Sequence, residues 1–174
     1  MLHILPATSQ TLPFIKELYE QSFPIHERRL WSAMLSISDE PEMNLNVIKD
    51  ADDLIGFVIW WQIEEWLYIE HIAIDPLQRG KQYGSKIIEL LIEKSANKLI
   101  LEVEPPHDSI SLKRIKFYER LNLAVIPFPY KQPPYRRGED SLPMLLMSTP
   151  QIVNKEEFIK LSTAIKERVY ERFS

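Results

Sequence analysis

The stretch that decides the fold is Ile69-Glu70-His71-Ile72-Ala73-Ile74-Asp75-Pro76, followed by Arg79-Gly80-Lys81-Gln82-Tyr83-Gly84. Its first part is rich in β-branched residues and stops at a proline, which is typical of a strand that ends there. From Ser85 onward, apolar residues recur at helical spacing. Glycines between a strand and a helix allow a tight turn that exposes backbone N–H groups next to the four unpaired donors of the helix N-terminus. With Arg79 and Lys81 adding positive charge, the segment predicts a phosphate or pyrophosphate site; a plain turn is the alternative.

Two other phosphate-binding motifs do not fit this stretch. A nucleotide P-loop requires G-x-x-x-x-G-K-[ST], but Gly84 is followed by Ser85-Lys86, in the reverse order. A dinucleotide-binding fingerprint requires G-x-G-x-x-G, which is also absent.

The segments on either side predict a mixed α/β domain. Before the stretch, the pattern predicts a strand at 2–5, helices at 12–23 and 30–35, and an antiparallel meander of strands at 45–48, 54–63 and 66–75. After it come a helix from residue 85, a strand at 99–103, a helix that starts at Asp108 or Ser109, and strands at 123–128 and 144–147. We expect one domain over residues 1–150. Residues 151–174 are interpreted as a C-terminal amphipathic helix packed on that domain, with a dimer contact as the alternative.

Composition narrows the class of protein. The 174 residues suffice for one domain, and the absence of cysteine excludes disulfides and thiolate metal sites. The net charge of −4 argues against broad binding to nucleic acid or an anionic membrane. The first residues lack the basic and long apolar regions of a secretory signal, and no apolar run approaches a membrane span of about 20 residues. We therefore expect a cytoplasmic protein.

The glycine-containing loop resembles that of the GNAT superfamily of acetyltransferases. That family carries a strand followed by [RQ]-x-x-G-x-[GA], and Arg79 and Gly84 match the outer positions. Gln82 replaces the middle glycine, so it would need a conformation that glycine adopts more easily.

A second segment supports the same resemblance. The family pattern N-x-x-A-x-x-F-Y-x-x-x-G-F is met at its spacings by Ser111, Arg114, Phe117, Tyr118, Asn122 and Leu123. Only Phe117 and Tyr118 are identical to the pattern, and Asn122 tolerates the left-handed conformation of a glycine that follows a helix. The strand Leu101-Glu102-Val103 lies where the family has its fifth strand. The similarity covers about residues 45–128.

The resemblance implies a GNAT-type acyltransferase fold: a mostly antiparallel central sheet flanked by helices, here with an extra C-terminal helix. It also implies acetyl-CoA as the acetyl donor and direct attack by a primary amine in a ternary complex. The cofactor contacts that it implies are the loop around the pyrophosphate (Arg79, Gly80, Lys81, Gln82, Tyr83, Gly84, Ser85), the strand along the pantetheine arm (Ile72, Ala73, Ile74), and Ser111 and Phe117. An amide near Ile72 would face the thioester oxygen.

The catalytic roles follow from the same resemblance. Tyr118 matches the family's general acid, with a core-packing tyrosine as the alternative. Glu70 is the expected general base, with Glu102, His71 or no dedicated base as the alternatives, and each carboxylate could instead be a paired structural charge. Strand alternation turns His71 to the face opposite Glu70 unless a bulge intervenes.

The acceptor, the partners and the rival functions are less defined by the sequence. Glu27 and Tyr130 are candidates for lining the acceptor pocket, with Glu102 nearby, whereas Arg28-Arg29 and Arg136-Arg137 are interpreted as solvated surface. The four histidines show no metal-ligand spacing, so no metal is expected. We expect acetyl-CoA and a small amine or peptide amino group as partners, no nucleic acid or membrane, and a monomer or homodimer. A non-catalytic CoA-binding domain, a larger acyl group and a nucleic-acid binder are the alternatives.

Overall fold

One mixed sheet organises the chain, and the computed structural model describes all of residues 1–174. The strands are β1 (Leu2–Pro6), β2 (Met43–Asp50), β3 (Asp53–Ile63), β4 (Trp66–Ile74), β5 (Leu99–Val103), β6 (Ala124–Val125), β7 (Tyr130–Gln132) and β8 (Leu142–Thr149). The helices are α1 (Leu12–Ser22), α2 (Trp31–Ser36), α3 (Tyr83–Lys94), α4 (Ser109–Glu119) and α5 (Lys155–Ile165). A π-helical turn, Lys166–Tyr170, and a 3-10 turn, Glu171–Phe173, continue α5 to the end of the chain.

The strand order β1-β2-β3-β4-β5-β8-β6, with β7 paired to β8, confirms the mostly antiparallel sheet. β2, β3 and β4 form the predicted antiparallel meander, and β1 adds to it by pairing antiparallel with β2. The pair β4–β5 is parallel, and its ladder joins only Leu67–Ile69 to Leu99–Leu101. Beyond that ladder, β4 continues to Ile74 and β5 to Val103 without pairing to each other. The two strands therefore diverge, and the sheet opens between them.

The two faces of the sheet carry separate cores. On one face, α1, α2 and the C-terminal segment pack with side chains from β2 to β4, and the buried residues include Ile15, Leu18, Tyr19, Met34, Phe158, Leu161, Ile165, Val169 and Tyr170. On the other face, α3 and α4 pack on the sheet through Ile87, Ile88, Leu91, Ile115 and Tyr118. Residues 155–170 thus share a core with the N-terminal helices. No helix has both the length and the apolar composition that a membrane-spanning helix requires.

A β-bulge interrupts β4 at the position that matters most for the site. Ile59 of β3 faces His71, but the next residue, Trp60, faces Ile69, so Glu70 is one residue more than β3 can pair. A bulge of this kind cancels one step of the alternation between faces. Both Glu70 and His71 therefore point to the face that carries α1 and the C-terminal segment.

The region after α4 differs from the sequence prediction. The expected strand at 123–128 is reduced to Ala124–Val125, and the segment between the two predicted strands, 129–143, contains β7. Pro127 and Pro129 explain the early end, because a proline has no N–H to donate to a sheet ladder. After these prolines, β7 pairs with residues 142–144 of β8, whereas β6 pairs with residues 147 and 148 of the same strand.

Candidate active site

A cleft of about 970 Å³ lies where β4 and β5 diverge. Its walls come from the end of β4, the loop before α3, the α4 face that carries Phe117 and Tyr118, and the end of α1. The end of β5, with Glu102 and the following Glu104, completes the lining. The opening in the sheet and the cleft are thus one feature of the fold.

The edge of β4 presents free backbone groups to this cleft. The Asp75 amide donates to the Ile55 carbonyl of β3 at 2.9 Å. In an antiparallel pair, alternate residues direct both N–H and C=O to the same neighbour. The amides and carbonyls of Ile72 and Ile74 therefore point away from β3, toward the side that β5 has left. The end of β4 can accept an extended, amide-bearing chain as if it were another strand.

The loop before α3 has the backbone of an anion site. Gly80 has φ 81° and Gln82 has φ 61°, so Gln82 is left-handed, and the predicted demand for a glycine-like conformation is confirmed. Gln82 is the N-cap of α3 without a side-chain cap, and the first amide that bonds back to it is that of Lys86. The amides of the first turn, residues 83–85, are thereby left for another acceptor.

The side chains of the loop are arranged around that backbone. Arg79 lines the cleft, whereas the Lys81 ammonium donates to the Gln78 side chain at 2.7 Å and is not part of the lining. The Tyr83 hydroxyl donates to Asp50 at 3.0 Å, which ties the start of α3 to β2. A Cβ on Gly84 would lie 3.5 Å from the Phe117 ring, an ordinary van der Waals contact, so the start of α3 packs beside Phe117 of α4.

Tyr118 projects from α4 into the cleft. It is buried, its ring packs edge-on against Phe117 at 5.1 Å, and its hydroxyl makes no hydrogen bond within the chain. Burial raises the pKa of Tyr118, so the phenol is protonated at neutral pH. The helix ends as predicted: Asn122 has φ 65°, and the Leu123 amide bonds to the Tyr118 carbonyl at 3.1 Å.

Ser111 does not reach the cleft. It is buried at the start of α4, where its hydroxyl forms a capping box with Asp108 and donates to the Asp108 carboxylate at 2.8 Å. That hydroxyl stabilises the helix N-terminus. Ser111 therefore departs from the expectation of a direct cofactor contact.

Glu70 forms a buried ion pair. Its side chain is 0% exposed; it accepts hydrogen bonds from the Arg29 guanidinium and, at 2.6 Å, from the Trp61 indole. The residue as a whole retains some exposure, so it meets the cleft through its main chain alone. Arg29, which is 4% exposed, also donates to the Val169 carbonyl and lies 4.7 Å from the Tyr135 ring. The interpretation of Arg29 as solvated surface was wrong.

His71 is buried in an aromatic cluster beside this pair, with the Phe23 ring at 4.4 Å. Its Nε2 lies 3.0 Å from the Glu27 carbonyl, which can only accept, so Nε2 carries the hydrogen. Nδ1 has no hydrogen-bond partner and lies 3.8 Å from a Glu70 oxygen. Burial lowers the pKa of His71 against the opposing effect of Glu70, which leaves a neutral ring.

Glu102 has a different environment from Glu70. It lines the cleft and accepts hydrogen bonds from the Tyr130 hydroxyl at 2.5 Å and the Tyr170 hydroxyl at 3.0 Å. Burial raises the pKa of Glu102 to about 7; the tyrosine hydrogen bonds oppose this rise, and the negative charge of Glu70 adds to it. A carboxyl group with this pKa exchanges its proton near neutral pH.

One part of the cleft carries charged side chains. Glu27, Glu104 and Arg114 line it there. Burial, with the nearby charge of Glu104, raises the pKa of Glu27, while His26 and Arg114 lower it. Tyr130 is buried behind Glu102 and does not line the cleft.

Comparisons with known proteins agree with this geometry. Residues 10–123 match the model of the acetyltransferase (GNAT) family. A GNAT-family protein from Bacteroides thetaiotaomicron is 33% identical, with a TM-score of 0.90 over 97% of this chain and 98% of that one. The ribosomal-protein-S18-alanine N-acetyltransferase from Escherichia coli is 18% identical, with a TM-score of 0.62 over 89% of this chain and 97% of that one. Spermidine N-acetyltransferase from Vibrio cholerae, solved with CoA and spermine, is 16% identical, with a TM-score of 0.63 over 88% of this chain and 98% of that one.

A search of curated proteins by sequence found no match. The family model covers well over half of the 174 residues, and the Bacteroides protein aligns along nearly the whole chain. The chain belongs to the GNAT family of acetyltransferases.

Proposed function

We propose that this protein is an N-acetyltransferase that moves the acetyl group of acetyl-CoA to a primary amine. The observation that carries the proposal is that one cleft joins free strand amides at Ile72 and Ile74, an unbonded Tyr118 hydroxyl and a Glu102 carboxyl with a pKa of about 7. The names of two structural neighbours, acting on the alanine of protein S18 and on spermidine, also point to amine acceptors.

The residues of the cleft fit acetyl-CoA. The first-turn amides of α3, with Gly80 and Gln82 shaping the loop, supply hydrogen bonds to a pyrophosphate, and Arg79 adds a positive charge. Ile72, Ala73 and Ile74 supply the strand edge for the amide-bearing arm, with the Phe117 ring as part of the wall. When bound, acetyl-CoA supplies an acetyl group activated as a thioester.

We assign the general base to Glu102. A primary amine is an ammonium ion at neutral pH and must lose a proton before it can attack. Glu102 is open to the cleft and has a pKa of about 7, so it can accept that proton directly or through water. The Glu70 carboxylate is paired with the Arg29 guanidinium, and its side chain is not exposed. Two nearby carboxylates thus differ in environment and take different roles.

We assign the general acid to Tyr118 and the oxyanion contact to the Ile72 amide. Because burial keeps the Tyr118 phenol protonated, it can give its proton to the leaving sulfur. The Ile72 amide points into the cleft and has no partner in the sheet, so it can donate to the carbonyl oxygen as negative charge develops there.

The acceptor is expected to carry positive charge. Glu27 and Glu104 lie on the acceptor side of the cleft and attract an ammonium group; Arg114 limits the net charge there. Glu102 is the third carboxylate on this side, and the Tyr130 hydroxyl holds it in place.

The test is acetyl transfer to a panel of polyamines, amino acids and peptides with free amino termini. Released CoA thiol and the mass of the product are measured for the wild type, for Glu102→Gln and for Glu119→Gln, a matched change on the exposed end of α4. We expect at least one amine to be acetylated by the wild type and by Glu119→Gln, and much more slowly by Glu102→Gln. Tight binding of acetyl-CoA without transfer to any amine would instead indicate a CoA-binding domain.

A further inference from the structure

We infer that Tyr170, in the C-terminal π-helical turn, is a positioning residue of the active site that fixes the Glu102 carboxylate through a hydrogen bond. The inference rests on the proposed role of Glu102. Tyr170 lies outside residues 10–123, which match the family model, so the C-terminal segment supplies a contact to Glu102 that the matched region does not contain.

The geometry of the hydroxyls supports this role. Tyr130 donates to one oxygen of Glu102 at 2.5 Å, and Tyr170 donates to the other at 3.0 Å. The Tyr68 hydroxyl lies 2.7 Å from that of Tyr170. Since Tyr170 uses its only hydrogen on Glu102, Tyr68 must donate to Tyr170. Each oxygen of the carboxylate thus has its own fixed donor, and the Tyr170 donor is itself held by a third tyrosine.

The C-terminal segment is anchored so that Tyr170 cannot easily move. Tyr170 is 1% exposed and Val169 is 0% exposed. The Val169 carbonyl accepts a hydrogen bond from Arg29, whose guanidinium also pairs with Glu70 on β4. The Tyr135 ring packs on Tyr170 at 5.1 Å. The Arg29–Glu70 pair, which we exclude from proton transfer, thereby holds the tail beside the base.

The groups that face Glu102 come from four parts of the fold. Tyr68 and Glu70 belong to β4, Tyr130 to β7, Tyr170 to the tail, and Tyr135 to the loop before β8. Burial raises the pKa of each of the four tyrosines well above its usual value, so all four are neutral; the hydroxyls of Tyr68, Tyr130 and Tyr170 donate hydrogen bonds. Arg29 lies beyond Glu70, and the Lys166 ammonium lies 5.3 Å from the centre of the Tyr130 ring. Glu70 is thus the charged side chain next to Glu102, and the tyrosine hydroxyls stabilise the ionised carboxylate against burial.

The test compares Tyr170→Phe with Tyr135→Phe. Both changes remove one hydroxyl from the same buried aromatic cluster, but only Tyr170 bonds to Glu102. Loss of a donor to a carboxylate raises its pKa, so the acidic limb of kcat/KM against pH should move up by about one pH unit in Tyr170→Phe. At pH values below the pKa, this shift corresponds to a roughly tenfold lower kcat/KM, whereas kcat/KM at pH 9 should change little. Tyr135→Phe should keep the wild-type limb.

A limb that stays in place in Tyr170→Phe, with kcat/KM unchanged or lowered equally at every pH, would overturn the inference. A ¹³C NMR titration measures the pKa of the Glu102 carboxyl in the wild type and both variants without an activity assay; Glu102→Gln assigns the signal. If the wild type is inactive, that result counts against the proposed function, whereas the titration still tests the role of Tyr170. If Tyr170→Phe does not fold, 4-aminophenylalanine at position 170 keeps a weaker donor of similar reach. It should shift the titration in the same direction by a smaller amount, and no shift there would equally refute the role of Tyr170.

Discussion

Removing the charge of Glu70 tests whether this residue is structural. In Glu70→Gln, the side-chain amide must face either the Arg29 guanidinium or the Trp61 indole, both of which donate, so one donor loses its acceptor. The Arg29 charge is then left buried without a counter-charge, at 4% exposure. Breaking a buried ion pair by removing one partner costs about 3–5 kcal/mol. In a domain of this size, that corresponds to a fall in Tm of roughly 10 °C.

The assay for this prediction is a double-mutant cycle by urea unfolding. Wild type, Glu70→Gln, Arg29→Met and the double variant are compared; the double variant removes both charges together. We expect each single change to cost several kcal/mol and the double change to cost clearly less than their sum. The acidic limb of the pH–rate profile should persist in Glu70→Gln and move to lower pH, because the negative charge of Glu70 adds to the raised pKa of Glu102. The reasoning would be refuted if Glu70→Gln were as stable as the wild type, or if it abolished that limb.

Four further predictions concern the proposed site. Glu102→Gln should lower kcat/KM about 10²-fold or more and remove the rise of activity toward pH 7, measured by steady-state acetyl transfer. Because burial raises the pKa of Glu102, the folded state binds this proton more tightly than the unfolded state. The free energy of unfolding of the wild type should therefore decrease as the pH rises from about 4.5 to 7. In urea unfolding, Glu102→Gln should not show the share of this decrease that Glu102 causes. Tyr118→Phe should lower kcat about 10²-fold with little change in the acetyl-CoA Kd measured by calorimetry, and unchanged turnover would remove its assignment as the acid. Gln82→Gly should keep acetyl-CoA affinity, whereas Gln82→Val, a β-branched residue at φ 61°, should weaken it about tenfold; equal affinities would show that the left-handed turn does not shape the site.

The sequence predicted most of the fold because its signals there are local. The β-branched runs, the apolar helix faces and the prolines that end elements depend on neighbours in the chain. The left-handed Gln82 and Asn122 follow from the same kind of evidence, since each replaces a glycine in a recognisable turn. The shortened strand after Leu123 could also have been foreseen from Pro127 and Pro129.

Most of the features that the sequence did not predict are set by contacts between residues far apart in the chain; the exception is the local capping box of Ser111. The bulge at Glu70 depends on the register against β3, which the sequence of β4 does not encode alone. Arg29 follows Arg28 in a polar segment, and its neighbours in the sequence do not indicate that its side chain is buried. Tyr170 occupies a position in an amphipathic tail that any packing aromatic residue could fill. Ser111 aligned with a family pattern, but its hydroxyl is used by the capping box with Asp108, which only the structure reveals.

Binding of acetyl-CoA in the cleft between β4 and β5 can be measured by thermal unfolding of the protein with acetyl-CoA, CoA and ATP in parallel. A ligand at about 100 times its Kd stabilises the folded state by about 2.7 kcal/mol, which raises the Tm of a domain this size by roughly 5–10 °C. We predict that acetyl-CoA and CoA both raise the Tm by several degrees and that ATP does not. A Tm that no CoA species changes, or that ATP raises equally, would contradict the account.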